Sequence, residues 1–248
     1  MSDSMEQLLT QWSASTGEGS TVALIDSGVE TSHPALEDAR IENVVLRFRG
    51  EIAIAEEDTG RDVAGHGTAC ASRILTLAPK TRVLSCRVLS SSLESTSRCL
   101  LGALEWLVGR EDIDVVNLSL GTPNRAFGLE IAHAVDRFYA RGICVVASAG
   151  PAERPDYPAL FAGPVSVSAA ASERDDEITF HRDEIVEFGA RGMNVPVPWL
   201  GGGLASVSGS SFAAPLVAGR LARFKSLRPD LRVWEQKTLL QYQAVAQK

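Results

Sequence analysis

Val22-Ala-Leu-Ile-Asp26-Ser-Gly28 is the stretch that decides how this chain is read. Four apolar residues in succession, with no polar alternation, mark a strand buried on both faces. Such strands belong to parallel sheets that helices cover on both sides. The run stops on a carboxylate followed by a turn pair, which puts Asp26 where the strand's carboxyl end meets its loop. In open α/β sheets, ligands and reactive groups collect at that end.

Working outward, further apolar runs at 43–48, 82–89, 113–120, 143–148 and 165–168 read as strands, beginning with 21–25 itself. Helical periodicity falls between them at 66–77, 96–108, 127–140, 211–224 and 233–246. Within 96–108, Leu100, Leu101, Leu104, Leu107 and Val108 recur at three- and four-residue steps and form one buried face. This alternation predicts an α/β fold with a mainly parallel central sheet flanked by helices. A length of 248 residues suits one large domain over 1–248, with 1–20 as a short N-terminal extension. Gly201-Gly-Gly203 reads as a mobile turn within that domain.

Two more motifs sit where one predicted element hands over to the next. Gly65-His66-Gly-Thr68 opens a helix, and Gly209-Ser-Ser211-Phe-Ala-Ala-Pro215 opens another. Taken singly, Asp26 reads as a strand-end turn residue, and His66 and Ser211 as helix caps. Together, an acid, an imidazole and a serine at three handover points form a set suited to nucleophilic catalysis.

These segments resemble the signatures of the subtilisin (subtilase) family of serine peptidases, and the resemblance runs from about Thr21 to the C-terminus. It includes His33-Pro34-Ala-Leu36 after the aspartate, Ala78-Pro79 after the histidine, Asn117-Leu-Ser119-Leu-Gly121, Ala147-Ser-Ala-Gly150 and Tyr157-Pro158. It implies a three-layer subtilisin-like fold and an acyl-enzyme mechanism. Ser211 is then the nucleophile, His66 the general base and acid, and Asp26 the group that orients the imidazole. It also implies that Ser119, Leu120 and Gly121 pair with an extended peptide or protein substrate. Ser148, Ala149 and Gly150 then form the opposite wall of the pocket for the residue before the scissile bond. Asp156, just before Tyr157-Pro158, stands where the family has a small residue at the pocket floor, and a carboxylate there favours a substrate Lys or Arg. An exposed pairing of Asp156 with Arg154 is the other reading.

The chain departs from the family pattern at several points. An asparagine normally follows the Ala-Gly pair and donates to the oxyanion, whereas Pro151 stands here with no side-chain donor. The second oxyanion donor is therefore not identified from sequence. Too few residues precede the first strand for a folding pro-domain, and the calcium-binding insert after the His66 helix is missing, so no cofactor and no metal is expected. The acidic runs Glu56-Glu57-Asp58 and Asp175-Asp176-Glu177 read as solvated loops. Cys70 lies one helical turn beyond His66 and reads as a buried structural thiol, a position where some family members also carry cysteine. His33 and His181 show no partner, and His133 falls within a helix.

Composition narrows the function classes. A net charge of −7 disfavours nucleic acid or an anionic membrane as partner, and no apolar run approaches the roughly 20 residues needed to span a bilayer. The polar, acidic start lacks the features of a signal peptide, and four cysteines without paired spacing read as free thiols. The expectation is a cytoplasmic, narrow-specificity endopeptidase that processes a precursor peptide or partner protein. A cyclase or transpeptidase using the same acyl-enzyme, and a pseudopeptidase with an impaired oxyanion hole, are the alternatives. Oligomeric state is not legible.

Overall fold

The computed structural model describes residues 3–49, 52–150 and 156–246. Its centre is β1 (Thr21–Asp26), whose six residues are all buried. On one side β1 pairs in parallel with β4 (Arg82–Arg87), and on the other with β5 (Val115–Leu118). The sheet continues in parallel from β4 to β2 (Arg40–Arg49) and from β5 to β6 (Cys144–Ser148), β7 (Val165–Ala170) and β9 (Phe188–Arg191). Antiparallel strands close both edges: β3 (Ile52–Glu57) on β2, and β8 (Ile178–Phe180) on β9. The order is β3-β2-β4-β1-β5-β6-β7-β9-β8. A separate hairpin joins β10 (Val195–Trp199) to β11 (Gly203–Val207), with Gly201 and Gly202 at its tip.

Alternate residues of β1 face two different cores. Val22 and Leu24 pack with α1 (Asp3–Trp12), α2 (His66–Leu77), α5 (Ser210–Leu227) and α6 (Val233–Ala246). Ala23 and Ile25 pack with α3 (Ser97–Val108) and α4 (Gly128–Ala140). That two-sided burial is why the strand carries no polar alternation, and it makes the architecture three-layered and α/β. The chain leaves β4, crosses over β1 through α3, and enters β5. Asp26 therefore stands at the reversal of strand order, where carboxyl ends diverge and leave a crevice.

α5 runs through the first core and is buried along most of its length, including Arg220 and Lys225. A helix apolar on nearly all sides has little amphipathic character of its own and is held by what surrounds it. Its buried cations are matched: the Arg220 guanidinium binds the Gln243 side chain and the Asp176 carbonyl, and Lys225 Nζ reaches the Gly142 and Pro229 carbonyls.

The stretch before β1 is more than an extension. α1 lies on α5, with Met5 and Leu8 buried in the core. Trp12 Nε1–H donates to the Arg220 carbonyl at 3.2 Å, and the Arg220 and Arg223 guanidinium carbons lie 4.8 and 3.8 Å from its ring centroid. His33 likewise has partners. Its Nε2 meets the Gly203 carbonyl at 3.0 Å, and its Nδ1 accepts the Ala35 N–H at 3.1 Å, so it pins the β10–β11 hairpin to the loop after β1. His181 also has partners, with Nδ1 3.2 Å from the Val186 carbonyl. Among the acidic runs, Asp58 pairs with Arg87, Asp175 with Arg73 and Arg191, and Asp176 with Arg174.

Replacing Trp12 with alanine removes both cation–π contacts and a hydrogen bond at a half-buried site. The expected cost is about 2 kcal/mol, or a melting temperature roughly 4–8 °C lower by calorimetry. An unchanged melting temperature would show that α1 contributes nothing to the fold.

Candidate active site

The site is assembled from the end of β1 and the starts of α2 and α5. Asp26 is fully buried at the end of β1. A buried carboxylate requires donors, and it has two: the Ser27 N–H at 2.7 Å and His66 Nδ1 at 2.8 Å. His66 is the first residue of α2 and only 7% exposed. The glycines on either side of it are both required. Gly65 has φ +92°, and a β-carbon there would lie 2.6 Å from the Trp199 ring of the β10–β11 hairpin. A β-carbon on Gly67 would lie 2.0 Å from the Gly28 carbonyl, so this glycine lets α2 abut the end of β1.

Asp62, four residues before His66, is a functional side chain that sequence reading misses. It is 6% exposed. Its Oδ1 accepts the Ser27 hydroxyl at 2.8 Å and the Ala64 and Gly65 N–H groups at 2.9 Å. Its Oδ2 accepts the Thr68 N–H at 2.8 Å and the Thr68 hydroxyl at 2.7 Å. Ser27 Oγ in turn accepts the Gly67 N–H at 3.0 Å. One carboxylate thus welds the residue after Asp26 to the first turn of the His66 helix. The signal available in sequence was an acid shortly before a predicted helix start, the pattern of an N-terminal cap.

Ser211 is the second residue of α5 and half-buried. The Phe212 ring packs 5.0 Å from the His66 ring, and the Cys70 thiol bridges the two helices, 3.3 Å from the Ser211 carbonyl and 3.7 Å from His66 Nδ1. Among the described residues no hydrogen bond joins Ser211 Oγ to His66; the bonds of the imidazole are on its Nδ1 side. Arg73 adds a second tie between α2 and α5, donating to the Phe212 carbonyl at 3.2 Å and to Asp175 at 2.6 Å.

Burial by itself disfavours the charged imidazole. The Asp26 carboxylate, hydrogen-bonded to Nδ1, favours it, and the His66 pKa stands above the ordinary 6.5. Burial pushes the Cys70 thiol up, so it stays protonated and donates. Asp26, His66 and Cys70 also form the one group of three metal-capable side chains found among the described residues, with ligand atoms within 4.8 Å. An ion there would take His66 Nδ1 away from Asp26.

Ser119, Leu120 and Gly121 follow the end of β5. Beside them lies a cleft of about 360 Å³, lined among others by Leu89, Leu93, Leu100 and Leu120. Ser148 ends β6, and Ala149 and Gly150 follow it. The Ser210 hydroxyl donates to the Ala149 carbonyl at 2.6 Å. Asp156 spans the two segments. Its Oδ1 accepts the Gly150 N–H at 3.0 Å, and its Oδ2 would lie 2.4 Å from a β-carbon on Gly121. Burial pushes the Asp156 carboxyl up, partly offset by the Gly150 N–H, and no cation among the described residues pairs with it. Pro151 and Arg154 lie outside the described residues, so the missing oxyanion asparagine and the Arg154 pairing are not placed.

A buried acid against an imidazole, with a serine at the start of the neighbouring helix, on a parallel α/β sheet, is the arrangement of a serine peptidase. The sequence matches the Subtilase family over residues 17–247, and the chain belongs to that family. Subtilisin Savinase of Lederbergia lenta is 32% identical over 227 residues, which cover 87% of this chain and 79% of that protein. Subtilisin DY of Bacillus licheniformis is 30% identical over 230 residues, 87% of this chain and 80% of that protein. Among solved structures, a psychrophilic protease superposes with a TM-score of 0.76 at 24% identity, covering 92% of this chain and 83% of the other, which speaks for the fold. The chain is a subtilisin-type serine peptidase, and its substrates are peptides or proteins.

The raised imidazole sets a pH dependence. Protonated His66 cannot accept a proton, so activity falls as pH drops through its pKa. The acid limb of kcat/KM is therefore expected to have its midpoint above pH 6.5. Asp26→Asn removes the carboxylate that favours the charged ring and should move the limb down. A wild-type midpoint at or below 6.5 would contradict the arrangement.

Proposed function

We propose that this peptidase cleaves an extended peptide segment through an acyl-enzyme on Ser211, preferring Lys or Arg immediately before the scissile bond. The observation that carries the preference is the half-buried Asp156 carboxylate, which contacts both Gly121 and Gly150 and has no cation among the described residues as partner. A carboxylate raised by burial gains more from a substrate cation than an exposed one would.

In this reading His66 takes the Ser211 proton as the hydroxyl attacks the carbonyl, and returns it to the leaving amine. Asp26 holds the ring with Nδ1 protonated, leaving Nε2 to face the hydroxyl, and stabilises the imidazolium as it forms. The Ser211–His66 hydrogen bond forms as substrate binds, when such bonds commonly tighten. The oxyanion develops at the N-terminus of α5, where the Ser211 N–H and the helix dipole favour negative charge. The substrate backbone pairs with Ser119-Leu120-Gly121 as an added strand, and the leucine-lined cleft takes a residue further upstream. A cation-selective pocket fits a narrow processing role on a precursor or partner protein better than general digestion. The free thiols Cys70, Cys86, Cys99 and Cys144 favour a cytoplasmic site of action.

Peptide-library profiling with variants tests this. Ser211→Ala and His66→Ala should each lower kcat by about 10⁴-fold or more; a few per cent of residual activity in either would sink the assignment. Asp156→Gly should cost about 10- to 100-fold on Lys and Arg substrates and spare apolar ones. In the wild type the preference should fade as pH falls through the raised Asp156 pKa. A wild-type profile dominated by apolar or acidic residues at that position would rule out the pocket.

A further inference from the structure

Pro215 lies inside α5, four residues after Ser211. Proline has no N–H, so the Ser211 carbonyl lacks the i+4 donor that an unbroken helix would supply. A carbonyl at a buried helix start needs a partner from elsewhere. It has one in the Ser119 hydroxyl, which donates to it at 2.8 Å. The Cys70 thiol approaches the same oxygen at 3.3 Å. Ser119 Oγ is itself directed: it accepts the Asn117 amide at 3.0 Å, which leaves its single proton for the Ser211 carbonyl. Asn117 is fully buried on β5, and Ser119 is 7% exposed.

We infer that Ser119 is a positioning residue whose hydroxyl, oriented by Asn117, substitutes for the N–H missing at Pro215 and fixes Ser211 in register with the substrate-pairing strand. This rests on the reading of Ser211 as nucleophile and of 119–121 as the substrate strand. The consequence is geometric. The backbone of Ser211 and the backbone that aligns the scissile bond are joined by a single 2.8 Å hydrogen bond, so a shift of one moves the other. An ordinary helix start, with its carbonyl taken by the i+4 N–H, would leave the serine without a direct bond to the substrate strand.

The test is a double-mutant cycle read in kcat, KM and melting temperature. Ser119→Ala should lower kcat about 10- to 100-fold and change KM by less than about threefold, because the backbone that pairs with substrate remains. Pro215→Ala restores a helical N–H to the Ser211 carbonyl. In that background Ser119→Ala should cost kcat less than about threefold, so the two changes couple strongly. Asn117→Ala, which leaves the hydroxyl undirected, should fall between the extremes. Strictly additive effects on kcat, or a Ser119→Ala that lowers only the melting temperature, would overturn the inference and leave Ser119 as a packing residue. If Ser119→Ala does not fold, the Pro215→Ala/Ser119→Ala protein, in which no carbonyl is orphaned, still reads the coupling against Pro215→Ala alone: a loss there of 10-fold or more would overturn it. A Ser211→Ala control separates the two levels, since activity surviving it would defeat the underlying reading, whatever the cycle shows.

Discussion

A carboxylate with no exposed surface, at the end of the central strand, is the constraint around which the rest of this molecule is arranged. Stripping Asp26 of water costs several kcal/mol unless the lost hydration is replaced by donors at hydrogen-bonding distance. The replacement is His66 Nδ1 and the Ser27 N–H. To bring an imidazole there, α2 must start against the end of β1, which only Gly67 allows at the observed approach. To keep it there, the loop before α2 must be fixed, and Asp62 does so with five donors of its own. Two buried acids on either side of Ser27 thus divide the labour: one holds the ring, the other holds the helix that carries it.

A second constraint comes from the opposite side. The start of α5 carries a proline where a donor belongs, and the strand that the site uses for substrate provides the missing partner. Arg73 and Cys70 reach across from α2 to the same first turn. The starts of α2 and α5 and the Ser119 segment after β5 are therefore tied pairwise through buried polar bonds. Networks of this kind are costly when incomplete and specify one arrangement when satisfied.

Much of this was legible beforehand because burial leaves a mark on composition. The unbroken apolar runs located β1, β4, β5, β6 and β7, and helical periodicity placed α2 and α6 within the observed bounds. The glycine, histidine and serine motifs located the site because their spacing serves backbone needs. Strands of three or four residues left no such mark, so β8 and the largely buried β9 went unseen, as did β10, with its two prolines. α1 was missed because its anchor, Trp12, is paired with arginines more than two hundred residues away. Asp62 and Ser119 were missed as side-chain ligands for a different reason. Their roles consist of bonds to distant backbone groups, and no local pattern reports a bond whose partner lies elsewhere in the chain. The partners of His33 escaped on the same ground.

The most direct measurement is covalent labelling by a fluorophosphonate, whose phosphorus reacts only with a serine made nucleophilic by a base. Peptide mapping by mass spectrometry should place the phosphonyl group on Ser211 in the wild type, with no label elsewhere. His66→Ala should slow the labelling by orders of magnitude, because the proton of the attacking hydroxyl then has no acceptor. Modification of a different serine, or labelling of Ser211 at the same rate without His66, would contradict the assembly of Asp26, His66 and Ser211 into one catalytic unit.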